Sequence, residues 1–215
     1  MNKLFARIAI LAIFVFCVAA TTDKVSNVLI IGDSISIGYT PFVQKALTPG
    51  VNVEHNAGNG GSTIRGMENI ENWIGNKEWD VILFNFGLHD MVHKDSLNKY
   101  DLNFKVAVTL DDYRKNLEVI VAKLKGTKAK VFFITTTTVP ENASGRKVED
   151  PAKYNKVAME VMQSNSIEVI DLYASSLIIH PENSNPGNVH YTDKGYELLA
   201  APLIKTITSA IKKIK

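Results

Sequence analysis

Five short segments of the chain have the pattern of β-strands, and segments with helical periodicity follow them. The strand-like segments are residues 28–31, 51–55, 79–86, 129–138 and 167–172. Strands that alternate with helices in this way join by right-handed crossovers and form a parallel sheet that helices cover on both faces. The sequence therefore predicts an α/β domain with three layers, α/β/α, around a central five-stranded parallel sheet.

The predicted helices carry apolar residues at helical spacing. They cover residues 39–47, 64–74, 111–125, 151–165 and 192–215. Residues 180–189 contain two prolines and three asparagines, and this composition predicts a loop before the last helix.

The composition is ordinary for one α/β domain with a sizeable core. The chain has 215 residues, of which 46% are hydrophobic and 21% are charged, and its formal net charge is +2. A charge so close to zero, with acidic and basic residues interspersed, excludes the basic surface that nucleic-acid binding requires. No internal repeat, low-complexity segment or linker divides the sequence, so a single domain is predicted.

The first 20 residues differ from the rest of the chain. Lys3 and Arg7 precede an uninterrupted apolar run at residues 8–20. This run is too short to span a bilayer comfortably, but it suits the apolar region of a signal peptide. We therefore predict a signal peptide at residues 1–20 and an exported domain at residues 21–215, periplasmic or extracellular; retention of the segment as an anchor is the alternative. After cleavage no stable membrane partner is expected, and the only cysteine, Cys17, is lost.

One serine occupies a position that suits a nucleophile. The strand-like segment at residues 28–31 stops at Gly32, and Ser34 follows shortly before the first predicted helix. The hydroxyl of Ser34 is thereby held at the carboxyl edge of the sheet, where open α/β sheets keep their sites. In isolation, the favoured interpretation is that Ser34 caps the helix or binds a phosphate at a helix amino terminus.

Further polar loops follow other strands and are expected at the same edge of the sheet. They are residues 58–63, residues 87–90, residues 140–146 and the loop that ends at His190. A nucleophile, N–H donors from a glycine loop and two histidines can therefore converge although they are distant in sequence. No set of His, Asp and Glu residues has metal-ligand spacing, so no metal and no other cofactor is expected.

Four segments of the chain resemble, in order, the sequence blocks of the SGNH hydrolases, which are also called GDSL-type esterases and lipases. Residues 32–34 match the Gly-Asp-Ser block. Asn56 and Gly61 match an Asn that a Gly follows five residues later. Residues 87–90 correspond to the Gly-x-Asn-Asp block, and residues 187–190 to the Asp-x-x-His block. The resemblance covers nearly the whole predicted mature chain.

The resemblance implies a flavodoxin-like SGNH hydrolase fold and acyl transfer through a serine nucleophile. It implies that His190 takes the proton of Ser34. It also implies that the tetrahedral oxyanion is held by the N–H groups of Ser34 and Gly61 and by a side chain of the third block, His89. A supporting role is expected for three more residues: Asp33, Asn56 and Asp90.

Two residues depart from the family pattern. His89 stands where the family has Asn; a neutral imidazole still has one N–H to donate to an oxyanion, and a subgroup with histidine here is expected. The alternative is that His89 is only a packed histidine. Gly187 stands where the family has the Asp that orients the catalytic histidine. We therefore predict a Ser–His dyad whose possible orienter is Asn188, with Asp171, Asp193 or a backbone carbonyl as alternatives.

These expectations together predict a function. We expect an exported serine esterase that hydrolyses small acyl esters, most plausibly acetyl esters, on carbohydrates. An export signal places an enzyme where polysaccharides are met, and residues 21–215 contain no long apolar lid of the kind that suits an interfacial lipase. The alternatives are a lysophospholipase or thioesterase of the same fold, and a catalytically silent binding protein on this scaffold.

Overall fold

The computed structural model describes residues 25–214, so the predicted signal peptide and Cys17 lie outside the described residues. The strands are β1 (Ser26–Ile31), β2 (Val51–His55), β3 (Val81–Phe84), β4 (Lys130–Ile134) and β5 (Glu168–Ile170). The helices are α1 (Ser34–Leu47), α2 (Thr63–Ile74), α3 (Leu110–Lys125), α4 (Asp150–Ser164), α5 (Leu172–Asn183) and α6 (Asp193–Ile214). Strands and helices thus alternate, as the sequence pattern predicts.

The strands form one parallel sheet in the order β2-β1-β3-β4-β5. After β1 the chain moves to one edge of the sheet for β2 and then crosses back to place β3 on the other side of β1. Such a reversal leaves a crevice outside the carboxyl ends of β1 and β3, where open α/β sheets bind ligands. The predicted flavodoxin-like fold with five parallel strands is confirmed.

Helices cover both faces of the sheet. Helix α6 contacts α1 and α5, and helix α3 contacts α2 and α4. Because both faces are covered, the central strands β1 and β3 consist almost entirely of buried apolar residues. Burying each such side chain is worth about 1.5–3 kcal/mol, which fixes the strand ends that carry the polar loops. Within residues 25–214, none of the helices combines the length and the hydropathy that a membrane span requires.

The end of helix α5 occupies residues where the sequence predicts the start of a loop, at residues 180–189. The helix continues to residue 183 and contains Pro181 in its last turn. Its sequence lacks an amphipathic pattern, because Leu177 and Ile178 are exposed whereas the polar Ser176 and His180 are buried. The prediction that the loop starts at residue 180 is therefore wrong.

Candidate active site

Ser34 begins helix α1 at the carboxyl end of β1. Two side chains fix the turn before it. Asp33 Oδ1 accepts a hydrogen bond from the N–H of Ile35 at 2.9 Å and so caps the helix. Asn56 Oδ1 accepts from the N–H of Gly32 at 2.8 Å, which ties the end of β2 to the same turn. Ser34 is thereby held on an ordered turn and stays partly exposed.

His190 lies against Ser34, with its Nε2 atom 2.9 Å from Ser34 Oγ. Its Nδ1 atom is 2.9 Å from Asn188 Oδ1, and its own backbone N–H is also 2.9 Å from that oxygen. A backbone N–H only donates, so the amide atom that both groups face is the oxygen, and Nδ1 must carry a proton. In the neutral ring, Nε2 is then free to accept the hydrogen bond of the Ser34 hydroxyl.

Among the candidate orienters of His190, Asn188 is the residue that reaches the ring. Asp171 instead caps helix α5, and Asp193 begins helix α6. The structure therefore joins Asn188, His190 and Ser34 in one chain of hydrogen bonds. The oxygen of Asn188 carries no charge, so it orients the ring without the full attraction that a carboxylate would exert on an imidazolium.

Buried His180 holds the loop that carries Asn188. Its Nε2 atom is 2.8 Å from the Asn188 carbonyl oxygen, and since a carbonyl only accepts, this nitrogen carries the proton. Its ring also lies edge-on to Tyr191, with the ring centroids 5.1 Å apart. Sequence reasoning assigns His180 no role in the site, because the only signal is a histidine in a segment with the composition of a loop.

The glycine loop after β2 lies against the Ser34 turn, since the Gly60 N–H donates to the Gly32 carbonyl at 2.8 Å. The backbone of Gly61 has a φ of +66°, a conformation that glycine adopts without strain. Its N–H already has an acceptor, because Asn59 Oδ1 lies 2.8 Å away. The predicted oxyanion donor is therefore near the site, but it is bound to a side chain of its own loop.

His89 lies in the turn after β3, and its ring is largely removed from water. Burial lowers the pKa of His89 below its ordinary value; the Asp33 carboxylate opposes this shift, and the charges of Arg146, Lys94 and His190 add to it. The ring is therefore neutral at pH 7. A neutral imidazole has a single N–H, which is the group that the predicted oxyanion role needs.

An open groove of about 610 Å³ borders Gly61 and His89. The first turns of α2 form one wall, and the segments on either side of the loop at residues 97–104 form the other. Its charged side chains are Arg65, Glu68, Lys94, Asp95 and Lys105. The groove thus presents hydrogen-bond donors and acceptors of both charges next to the two predicted oxyanion donors.

Asp90 is fully buried beneath the site and binds Thr63. Its Oδ1 atom accepts from the Thr63 N–H at 2.9 Å and from the Thr63 hydroxyl at 2.5 Å. Its Oδ2 atom has no hydrogen-bond partner within residues 25–214. Burial raises the pKa of Asp90 to about 7, against the opposing effect of the Thr63 hydrogen bonds. Asp90 therefore joins the turn of His89 to the start of α2.

Replacing Asp90 with Asn is expected to remove a pH dependence of stability. The pKa of Asp90 is raised in the folded protein, so the folded protein binds this proton more tightly than the unfolded chain does. The stability that the bound proton contributes is full below about pH 4 and is lost as the pH rises through 7. At about 1.4 kcal/mol per pKa unit, the loss is on the order of 4 kcal/mol. Urea unfolding of both proteins at several pH values measures it, and an identical pH dependence in Asp90→Asn would contradict the assignment.

No group of three or more His, Cys, Asp or Glu side chains in residues 25–214 is arranged to hold a metal ion. The other histidines make hydrogen bonds that need no ligand. His55 Nε2 lies 2.7 Å from the Ser36 hydroxyl, and His93 Nδ1 lies 2.7 Å from the Phe104 carbonyl. These two rings are therefore held by hydrogen bonds within the described part of the chain.

The sequence matches the model of the GDSL-like Lipase/Acylhydrolase family over residues 30–198, which is most of the chain. The chain belongs to this family. The resemblance to SGNH, or GDSL-type, hydrolases is therefore confirmed, and the family places the protein among hydrolases of ester bonds. A subgroup with histidine at the position of His89 stays a prediction.

Several solved structures share the fold. The acetyl xylan esterase AlAXEase is 21% identical with a TM-score of 0.70, over 84% of this chain and 99% of that chain. A lipase/acylhydrolase from Enterococcus faecalis is 23% identical with a TM-score of 0.71, over 86% and 96%. Axe2, an acetylxylan esterase from Geobacillus stearothermophilus, is 18% identical with a TM-score of 0.67, over 86% and 96%. No curated protein sequence matches the chain.

Proposed function

We propose that the protein is an exported serine esterase that removes small acyl groups, acetyl above all, from carbohydrates. The observation that carries the proposal is the hydrogen-bonded chain of Asn188, His190 and Ser34, with 2.9 Å between His190 Nε2 and Ser34 Oγ. A serine hydroxyl is a weak nucleophile at neutral pH and needs an adjacent base of this kind. Export rests on the apolar segment at residues 8–20.

The reaction proceeds through an acyl-enzyme. As Ser34 Oγ attacks the ester carbonyl, His190 Nε2 takes its proton. The bond to the sugar oxygen then breaks, and His190 gives the proton to that oxygen, which leaves as a hydroxyl. A water molecule, deprotonated by the same nitrogen, attacks the acyl-serine; the bond to Ser34 Oγ breaks, Oγ takes the proton back from His190, and the carboxylic acid is released. Asn188 Oδ1 accepts the Nδ1–H bond throughout, so the ring keeps its orientation.

The oxyanion of each tetrahedral intermediate accepts hydrogen bonds from Ser34, Gly61 and His89. The Ser34 N–H lies in the first turn of α1, where helix N–H groups have no partner within the helix. The Gly61 N–H becomes available when the oxyanion replaces Asn59 Oδ1 as its acceptor. Neutral His89 donates its single N–H, as an asparagine amide would.

Two observations support a carbohydrate as the alcohol part of the ester. The groove beside Gly61 and His89 is lined by side chains of both charges, which can bind hydroxyl groups. An alkyl chain in the groove would take these groups out of water without replacing their hydrogen bonds. Two proteins of the same fold, AlAXEase and Axe2, are an acetyl xylan esterase and an acetylxylan esterase.

One observation favours the second candidate, a lysophospholipase. The loop at residues 97–104, which borders the groove, exposes 86% of Leu97 and 48% of Leu102. Exposed apolar side chains beside a site can contact acyl chains or a lipid surface. The two candidates differ in the acyl chain length that they prefer.

The test compares nitrophenyl esters of different acyl length and measures acetate release from acetylated xylan. We expect kcat/KM for the acetyl ester to exceed that for the octanoyl ester by about tenfold or more, because a site shaped for one methyl group rejects a long chain. Ser34→Ala is the inactive control. A preference for long chains would favour the lysophospholipase, and failure of an organophosphonate to label Ser34 would favour a silent binding protein.

Replacing Asn188 with Ala is expected to lower kcat by about ten- to a hundredfold. Replacing the orienting Asp of a serine protease with Asn costs about ten-thousandfold, mainly through the wrong tautomer, whereas Asn188 supplies orientation without charge. Asn188→Asp keeps the acceptor oxygen and should retain at least the wild-type kcat. Steady-state kinetics on an acetyl ester measure both variants. A change of less than about threefold in Asn188→Ala would contradict the orienting role.

A further inference from the structure

Arg146 lies beside the turn that carries His89, and its charge acts on His89 and is itself influenced by the Asp33 carboxylate. The side chain of Arg146 is partly buried. Its hydrogen bonds go to carbonyl oxygens alone among the described residues: Nε donates to Leu88 O at 2.8 Å and Nη1 to Ser144 O at 3.3 Å. The salt bridges of the described chain do not include it. Among the described residues no salt bridge neutralises this guanidinium, and the Asp33 carboxylate acts on it through space.

The loop of Arg146 is packed against the turn after β3. The His93 N–H donates to the Gly145 carbonyl at 2.7 Å. A Cβ at Gly145 would lie 2.6 Å from the His93 carbonyl oxygen, and φ there is +64°, so only glycine fits this contact. The bond between Arg146 and Leu88 and the bond between Gly145 and His93 therefore clamp the turn on both sides of His89.

We propose that Arg146 is a positioning residue of the oxyanion site: it fixes the turn that carries His89 and places a permanent positive charge beside it. The inference rests on the proposed function, because it takes His89 as the donor to the oxyanion. When Ser34 attacks, the carbonyl oxygen of the ester gains negative charge, and a fixed guanidinium stabilises that charge without reorganising. Arg146 itself keeps its protons throughout.

The charge of Arg146 also acts on the protonation of His89. Burial is the main cause of the lowered pKa of His89, and the Asp33 carboxylate opposes it. Arg146, Lys94 and His190 are the cationic or titratable groups that lower the pKa further. Removing the charge of Arg146 should therefore raise the pKa of His89 and increase the fraction of imidazolium at mildly acidic pH.

The test compares Arg146→Gln with Arg146→Lys in the full protein. Gln retains a donor for the Leu88 carbonyl and loses the charge, whereas Lys retains the charge. We expect Arg146→Gln to lower kcat for nitrophenyl acetate by about tenfold or more, to leave KM within about twofold, and to raise the pKa of His89 in an NMR titration of its ring. Arg146→Lys should recover most of both effects. Arg114→Gln, which removes an exposed arginine paired with Glu160, is the matched control.

Several results would overturn the proposal. One is an unchanged pKa of His89 in Arg146→Gln, together with a kcat within about twofold of wild type. Another is an equal loss of kcat in Arg146→Gln and Arg146→Lys while the pKa of His89 stays unchanged. That result would show that Arg146 has a structural role alone. A rise in KM confined to anionic esters would assign Arg146 to substrate binding. If Arg146→Gln does not fold, Arg146→Lys is the test. Lys retains the charge, so a shifted pKa of His89 in this variant would overturn the proposed effect of the charge.

Failure of the proposed function can be recognised separately. If the wild-type protein hydrolyses no ester and Ser34 resists an organophosphonate, the esterase proposal fails. The titration of His89 in Arg146→Gln still tests the placement of the charge, because it needs no turnover. Conversely, an active wild-type enzyme with an unmoved His89 titration and an unchanged kcat in that variant refutes the role of Arg146 alone.

Discussion

Replacing either Ser34 or His190 with Ala is expected to lower kcat for acetyl esters by about 10⁴- to 10⁶-fold. In the proposed mechanism the two residues act as one unit, because the proton moves from Ser34 Oγ to His190 Nε2 while the oxygen attacks, and these atoms lie 2.9 Å apart. We therefore expect the double variant to be no slower than either single variant. Steady-state kinetics on nitrophenyl acetate measure all three, and circular dichroism checks that each folds.

The matched control for this experiment is Ser209→Ala, which removes an exposed serine of helix α6 and should leave kcat unchanged. Losses that multiply in the double variant would contradict joint action of the pair. A loss below about tenfold in His190→Ala would contradict its assignment as the base, since general-base catalysis alone contributes about 10²- to 10⁴-fold. In that case the 2.9 Å contact would be a structural hydrogen bond.

The position of Ser34, the proposed nucleophile, could be predicted because the strand before it has few alternatives. Residues 28–31 are apolar without interruption, which indicates a strand buried on both faces, and the structure buries all of them. The run ends at Gly32, so the next hydroxyl falls at the edge of the sheet. Local pattern and global fold agree at this point, and the sequence determines the position of Ser34 closely.

The ends of β3 and β4 could not be predicted in the same way. The sequence pattern extends β3 over residues 79–86 and β4 over residues 129–138, whereas the strands are Val81–Phe84 and Lys130–Ile134. Residues that follow the hydrogen-bonded part of each strand, such as Phe86 and Thr136, are still buried although they no longer pair with the neighbouring strand. The apolar pattern in the sequence indicates which residues are buried and not which residues pair with a neighbouring strand. At this edge of the sheet the buried segment extends beyond the hydrogen-bonded strand.

The residues that support the site were missed for a different reason. His180 donates to the backbone carbonyl of Asn188, and Arg146 donates to the backbone carbonyl of Leu88. Every residue carries a backbone carbonyl, so no sequence pattern marks the partner of such a bond. The choice among Asn188, Asp171 and Asp193 likewise depends on the conformation of a loop, which spacing alone does not determine.

Replacing His89 with Ala is expected to lower kcat by about 10²- to 10³-fold, which is the usual cost of losing one oxyanion donor. Burial keeps the pKa of His89 below its ordinary value, so the ring is neutral and offers one N–H at pH 7. A donor that acts only on the oxyanion stabilises the transition state and not the bound ester. KM should therefore change much less than kcat.

The variant His89→Asn separates this role from simple packing. Asn restores a neutral N–H donor of the kind that the family pattern has at this position, so it should recover most of the activity that His89→Ala loses. If His89 only fills space, the smaller Asn leaves nearly the same cavity as Ala; both variants would then lose stability and keep kcat. Thermal unfolding and steady-state kinetics of the two variants distinguish these outcomes, because recovery of kcat without recovery of stability can come only from the donated hydrogen bond.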